Sequence, residues 1–307
     1  MKKATVIGVG NLGSCIAYEI ANRGLVDHLV LIDVAQELAE GNAADIAQAM
    51  AFRANVDVTV GDYENASGSQ VIVVTAGRPR TPEMKSRSEL LEANSRIIKA
   101  VASSLKGADE NSVIITLTNP VDAMNFIMWK NTGLDRRRVI GSAGMLDSAR
   151  FRTVLAGILQ VPKLAVEAYV VGEHGDNQVP LFSQVQVGNK TRLFTEDERS
   201  FILGELKRSA LEVIAKKGAT IFAPANNTAN MVQMILKDEK KTAVCSVVLD
   251  GEYGLNNVSI GVPVVLGRNG VEKVLEWELN KKEMEAFTNG AESLKKTIKA
   301  LFSSQLD

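Results

Sequence analysis

Ala4-Thr5-Val6-Ile7-Gly8-Val9-Gly10-Asn11-Leu12-Gly13 is the stretch whose reading decides the fold. Residues 4–9 form a nearly continuous, β-branched apolar run, the pattern of a strand buried on both faces of a parallel sheet. Gly8, Gly10 and Gly13 punctuate its end, and from Ser14 to Arg23 apolar residues recur at helical spacing. Strand, glycine turn and helix together let a pyrophosphate approach the backbone and face a helix N-terminus. A glycine-rich turn without a ligand is the plainer reading of the glycines taken alone. Against it stands a second apolar run, Leu29-Val30-Leu31-Ile32, which ends in Asp33. About 20 residues past the glycines is where the dinucleotide fold puts the acid that accepts hydrogen bonds from the adenine-ribose hydroxyls. A carboxylate there also repels a 2′-phosphate, which favours NAD over NADP.

Working outward, Val56, Val58 and Val60 alternate with polar residues, predicting a strand with one polar face toward a sheet edge. Val71 to Thr75 reads as a strand, Ser88 to Leu105 as a long helix, and Ser112 to Leu117 as a strand ending at Thr118-Asn119-Pro120. Strands separated by helices predict a doubly wound parallel sheet whose ligands lie beyond the strand C-termini, where Asn119 stands. Residues 76–87 carry Arg78, Arg80, Arg87 and two prolines over that edge. The pattern reads as a lid that brings charge to an anionic substrate, or as a solvated charged loop.

The second half contains His174, one of only two histidines, in the glycine-flanked turn Gly172-Glu173-His174-Gly175-Asp176-Asn177 after the apolar run Ala168 to Val171. Imidazole is the side chain suited to moving a proton near neutral pH, and Asp147 and Arg150 stand upstream as candidate partners. Val179 to Val187 reads as a strand region, and Thr195-Glu196-Asp197-Glu198 opens a helix with acids in its first turn. A helix over Pro224 to Lys237, strands at Thr242–Leu249 and Val258–Leu266, and a charged amphipathic helix from Lys281 to Phe302 complete the chain. The expected fold is α/β, an N-terminal Rossmann doubly wound parallel sheet (1–142) followed by an α+β substrate domain (143–307).

Composition narrows the classes. The 307 residues are 46% hydrophobic and 23% charged with a net charge of -1, which gives no global attraction to nucleic acid or an anionic membrane. Cys15 and Cys245 are too few for a disulfide framework or a zinc site, so no metal is expected and a reducing cytoplasm fits. Nothing reaches the length of a membrane span or a signal segment. Arg136-Arg137-Arg138 and Lys240-Lys241 read as solvated surface, the latter offset by Asp238-Glu239.

Gly-Val-Gly-Asn-Leu-Gly at 8–13, Thr-Ala-Gly-Arg-Pro-Arg at 75–80, Thr-Asn-Pro-Val-Asp at 118–122, Leu-Asp-Ser-Ala-Arg at 146–150 and Gly-Glu-His-Gly-Asp at 172–176 stand in order. In these five motifs the chain resembles the lactate/malate dehydrogenases, most closely the lactate-dehydrogenase-like malate dehydrogenases of bacteria and archaea. The resemblance implies reversible oxidation of (S)-malate with NAD. It makes His174 the proton donor-acceptor, Asp147 its orienting partner, Arg150 the grip on the substrate carboxylate, Arg87 the group polarising the reacting oxygen and Arg80 the substrate selector.

Asn119 would touch substrate and cofactor, and Ala223-Pro224-Ala225-Asn226 would line the pocket. The cofactor would rest on Gly8, Gly10, Asn11, Leu12, Gly13, Asp33, Thr75, Ala76, Gly77 and Asn94. Arg80 and Arg87 lie seven apart where relatives use six, with Glu83 at a usual glycine position. The resemblance also implies a homo-oligomer, tetramer or dimer. L-lactate dehydrogenase and a non-catalytic dinucleotide-binding protein are the alternatives.

Overall fold

The computed structural model describes residues 1–79, 87–106 and 110–303, so the lid residue Arg80 lies outside the described residues. The first half alternates strand and helix: β1 (Lys3–Ile7), α1 (Asn11–Asn22), β2 (His28–Ile32), α2 (Gln36–Met50), β3 (Asp57–Val60), β4 (Val71–Val74), α3 (Arg87–Ser104), β5 (Val113–Thr116), α4 (Val121–Thr132), β6 (Val139–Gly141) and α5 (Gly144–Leu159). Successive strand residues face opposite sides of the sheet, and here both sides are covered. Ala4 and Val6 of β1, Leu29 and Leu31 of β2, and Val71 and Val73 of β4 pack into one core layer. Ile7, Val30, Ile32, Ile72 and Val74 pack into the other. That explains why these strands read as unbroken apolar runs.

The six strands pair in parallel in the order β3-β2-β1-β4-β5-β6, with β3 at the edge as its alternating pattern predicts. The chain winds one way from β1 and the other way from β4. The crevice beyond the ends of those two strands is therefore the switch point where ligands bind in such sheets.

After α5 come β7 (Val166–Glu167), β8 (Val170–Gly172), β9 (Gln178–Pro180), β10 (Gln186–Val187), β11 (Lys190–Thr191), α6 (Glu196–Lys217), α7 (Phe222–Leu236), β12 (Lys241–Asp250), β13 (Asn256–Gly267), β14 (Gly270–Val274) and α8 (Lys281–Ser303). The long hairpin β12–β13 does not stand apart from the parallel strands. Ser246 pairs with Gly141 of β6 and Gly261 with Gly172 of β8, so one sheet of eleven strands, among the described residues, runs from the cofactor side to the His174 turn. α6 starts in a full capping box between Thr195 and Glu198, which satisfies two N-terminal backbone donors.

Two expectations need correction. The strand foreseen over Val179–Val187 is broken: β9 ends at Pro180, and Phe182 to Gln184 form a turn of 3-10 helix before β10 joins a separate small sheet. The break is held by Glu283 of α8, which accepts hydrogen bonds from the backbone N–H (3.1 Å) and hydroxyl (2.7 Å) of Ser183. Arg136 is not solvated surface either. Its guanidinium donates to the Val248 carbonyl at 2.9 Å and pairs with Glu252 at 2.8 Å, tying the turn before β6 to β12.

Candidate active site

The crevice is shaped by backbone contacts that leave no room for side chains. Gly8, at φ +87°, lies against the Thr75–Ala76 backbone, where a Cβ would come within 2.6 Å of the Ala76 nitrogen. A Cβ on Gly13 would sit 1.8 Å from the Gly8 carbonyl oxygen, so only glycine lets α1 pack this close to the end of β1. Gly10 caps α1 with no side-chain hydrogen bond, and a Cβ there would meet nothing within 4 Å. The first-turn N–H groups at Asn11, Leu12 and Gly13 thus lie without a side-chain cap at an open helix N-terminus, where a pyrophosphate is favoured.

Asp33 stands at the end of the next strand. Its Oδ2 accepts the Val9 N–H at 2.6 Å and its Oδ1 the Ala35 N–H at 2.9 Å, which fixes the carboxylate beside the glycine turn with lone pairs to spare. Thr75 donates to the Gly8 carbonyl (2.6 Å), and Thr118 to that of Ala76 (2.7 Å). A cradle that a Cβ would fill, beside a fixed carboxylate, fits the pyrophosphate and ribose of NAD.

Asn94, expected at the cofactor, is buried in the wall of the crevice. Its Oδ1 accepts from the Arg78 N–H, and its amide nitrogen donates to the carbonyls of Asn119 (2.7 Å) and Arg78 (3.3 Å). It braces the loop after Gly77 against the loop carrying Asn119, whose side chain is left exposed at the crevice. The Asn119–Pro120 peptide is cis and leads directly into α4.

At the far end of the crevice three elements converge on His174. Asp147 and Arg150, three apart on α5, share one helix face. The His174 Nδ1 lies 2.6 Å from Asp147 Oδ2, and the Arg150 guanidinium lies 3.3 Å from Oδ1 of the same carboxylate. Asp147 is 4% exposed, whereas His174 and Arg150 keep about a fifth of their side chains open. The arrangement leaves Nε2 as the ring nitrogen free to exchange a proton, with a carboxylate-binding fork beside it. Burial works against the charged imidazole, but the charge and hydrogen bond of Asp147, joined by the charge of Asp122, hold its proton affinity above the ordinary histidine value. Arg87 begins α3, downstream of Arg80; its side chain and Arg80 lie outside the described residues.

Two members of the cluster have no role assigned from the sequence. Asp122, in the first turn of α4, accepts the His174 backbone N–H at 2.7 Å and the Ser246 hydroxyl of β12. Thr220, before α7, meets Arg150 at 3.3 Å. In the Ala223–Asn226 stretch expected at the pocket, Pro224 and Ala225 are buried, and Asn226 accepts from Arg23, just after α1, at 2.5 Å.

Comparison with known proteins agrees with this fold. The family model for the NAD-binding domain of lactate/malate dehydrogenases matches residues 2–141, and that for their alpha/beta C-terminal domain matches residues 144–305. A malate dehydrogenase of Halobacterium salinarum is 45% identical, over 96% of this chain and 97% of its own. Among solved structures, a malate dehydrogenase of Cryptosporidium parvum superposes with a TM-score of 0.92 at 35% identity, covering 98% and 99% of the two chains. A lactate dehydrogenase of the same organism, complexed with lactic acid and NAD, gives 0.91 at 35% identity, covering 98% of each. Proteins named for both activities thus share this fold.

Proposed function

The chain belongs to the lactate/malate dehydrogenase family, and on that footing we propose that it oxidises (S)-malate reversibly to oxaloacetate with NAD, His174 carrying the proton. The observation that carries this reading is the His174 ring held at 2.6 Å by a buried carboxylate, beside the fork of Arg150. NAD, when bound, supplies the acceptor for the C2 hydride. The residues of the chain supply the remainder.

Neutral His174 takes the 2-hydroxyl proton through its Nε2 as the alcohol becomes a ketone, and Asp147 stabilises the imidazolium that results. In reduction the imidazolium returns that proton to the oxygen. Arg150 holds the C1 carboxylate through two parallel N–H donors, a geometry that lysine lacks. Arg87 polarises the reacting oxygen and Arg80 pairs with the second carboxylate, roles that rest on the motif resemblance. The stretches 1–142 and 143–307 act as the cofactor and substrate parts.

We further place the protein in the cytoplasm, as a homo-oligomer, tetramer or dimer, serving the tricarboxylic acid cycle. Its two cysteines are unpaired, and no helix among the described residues is long and apolar enough to cross a membrane. Leu203, Leu211 and Ile214 of α6 and Leu38 and Phe52 at α2 are exposed apolar side chains that suit a subunit contact.

His174→Asn tests the reading against a protein that merely binds dinucleotide. NADH binding, followed by fluorescence titration, is expected to persist while oxaloacetate turnover falls by about 10²–10⁴-fold. Near-normal turnover would remove His174 from the mechanism.

A further inference from the structure

His174 is held from two sides, and only one of them is its ring. The second hold is on its main chain. Asp122 Oδ2 accepts the His174 peptide N–H at 2.7 Å, while Oδ1 accepts the hydroxyl of Ser246. Ser246 is fixed in turn by Asn125, one turn further along α4, whose amide donates to the Ser246 carbonyl at 3.3 Å and to the Ser259 hydroxyl at 3.0 Å. Asp122 thus joins α4, β12 and the turn after β8, three segments separated widely in sequence. The turn needs such an anchor because Gly172 and Gly175 flank His174 with φ of +90° and +151°, so its backbone has little stiffness of its own.

We propose that Asp122 is a positioning residue for the proton transfer. As a carboxylate it fixes the main chain of His174 so that the ring meets Asp147, and it adds a second negative charge that favours the imidazolium. The inference rests on His174 being the proton carrier.

Asp122 is 2% exposed, and burial pushes its proton affinity up, to about 6, against the opposing effect of its bonds to Ser246 and to the His174 N–H. Its place in the first turn of α4 favours the charged form. The titratable groups whose charge reaches it are His174 and Glu173, both from the turn. α5 contributes Asp147 and Arg150, which act on His174, and β12 presents only the hydroxyl of Ser246. Because the folded value of about 6 lies above the ordinary 3.8, ionising Asp122 opposes folding as pH rises through that window.

The test uses Asp122→Asn and Asp122→Ala in the full chain. With only two histidines in the chain the reading is direct, and His28→Gln assigns the NMR signal that belongs to His174. In Asp122→Asn, which keeps an acceptor for the N–H but loses the charge, His174 is expected to titrate at lower pH than in the wild type. Oxaloacetate reduction, which needs imidazolium, then falls at neutral pH while malate oxidation holds or rises. In Asp122→Ala the loosened turn lowers kcat by about 10–100-fold in both directions, and KM changes little.

An unmoved His174 titration in Asp122→Asn, with both directions lowered equally or not at all, would overturn the proposal. If Asp122→Ala does not fold, Ser246→Ala decides. Loss of that hydroxyl raises the proton affinity of Asp122 and moves the acid-side loss of kcat to higher pH; an unmoved acid limb would contradict the role. The NMR titration needs no turnover. A wild type inactive with oxaloacetate would therefore fail the functional reading while leaving this one decided separately.

Discussion

The glycine turn after β1 and the His174 turn after β8 both connect the end of a strand to the next element, yet they are built in opposite ways. In the first, the chemistry lies in the backbone: open N–H groups at the start of α1, and two glycines whose missing side chains let three stretches of main chain touch. In the second, the backbone is held by a side chain, and the chemistry lies in side chains delivered by α4, α5 and β12. A backbone-built site is therefore broken by adding a methyl group, whereas a side-chain-built one is broken by removing a charge or a donor.

The largest expected effect comes from the methyl group. Gly13→Ala would place its Cβ 1.8 Å from the Gly8 oxygen and 2.7 Å from the Thr75 hydroxyl, main chain and a pinned side chain that cannot both move aside. Destabilisation of about 3 kcal/mol, with loss of NADH binding, is expected from thermal melts and fluorescence titration. Normal binding and melting in that variant would show that the turn has slack and that the contrast is overstated.

A smaller effect sharpens the comparison within the first site, where Asp33 is the one side chain that selects. Asp33→Ser removes the ribose acceptor and the repulsion toward a 2′-phosphate, and the ratio of kcat/KM with NADH to that with NADPH is expected to fall by about tenfold or more. An unchanged ratio would assign the discrimination elsewhere.

The same contrast explains what was legible in the sequence. The glycine turn, Asp33 and the alternation of strands and helices are local patterns, because a parallel sheet covered on both faces writes itself into unbroken apolar runs and their terminal residues. The capping box at Thr195 and Glu198 is equally local. Asp122, by contrast, lies within a motif quoted for its likeness, but its partners stand 52 and 124 residues away, and nothing in its own neighbourhood announces them. Thr220 meets Arg150 from 70 residues away. Asn94 reads from the sequence as a cofactor contact, whereas its bracing role depends on which carbonyls the fold brings to its amide. The broken strand at Ser183 follows from Glu283, a hundred residues later. Periodicity carries no information about such pairings.

Under the proposed function the choice of substrate depends on how many carboxylates the pocket pairs, and one measurement tests it most directly: kcat/KM for oxaloacetate and for pyruvate with NADH, in the wild type and in Arg80→Gln. Oxaloacetate brings a second carboxylate where pyruvate has a methyl group, and in the proposed mechanism Arg150 takes the first. If Arg80 pairs with that second carboxylate, the charge-assisted bond is expected to contribute about 1.5–3 kcal/mol, or roughly 10–150-fold, and pyruvate would leave that guanidinium without a partner. The wild type is expected to prefer oxaloacetate, with Arg80→Gln losing that preference while its rate with pyruvate holds or rises. A wild type that prefers pyruvate, or a variant that loses both substrates equally, would contradict the assignment to malate.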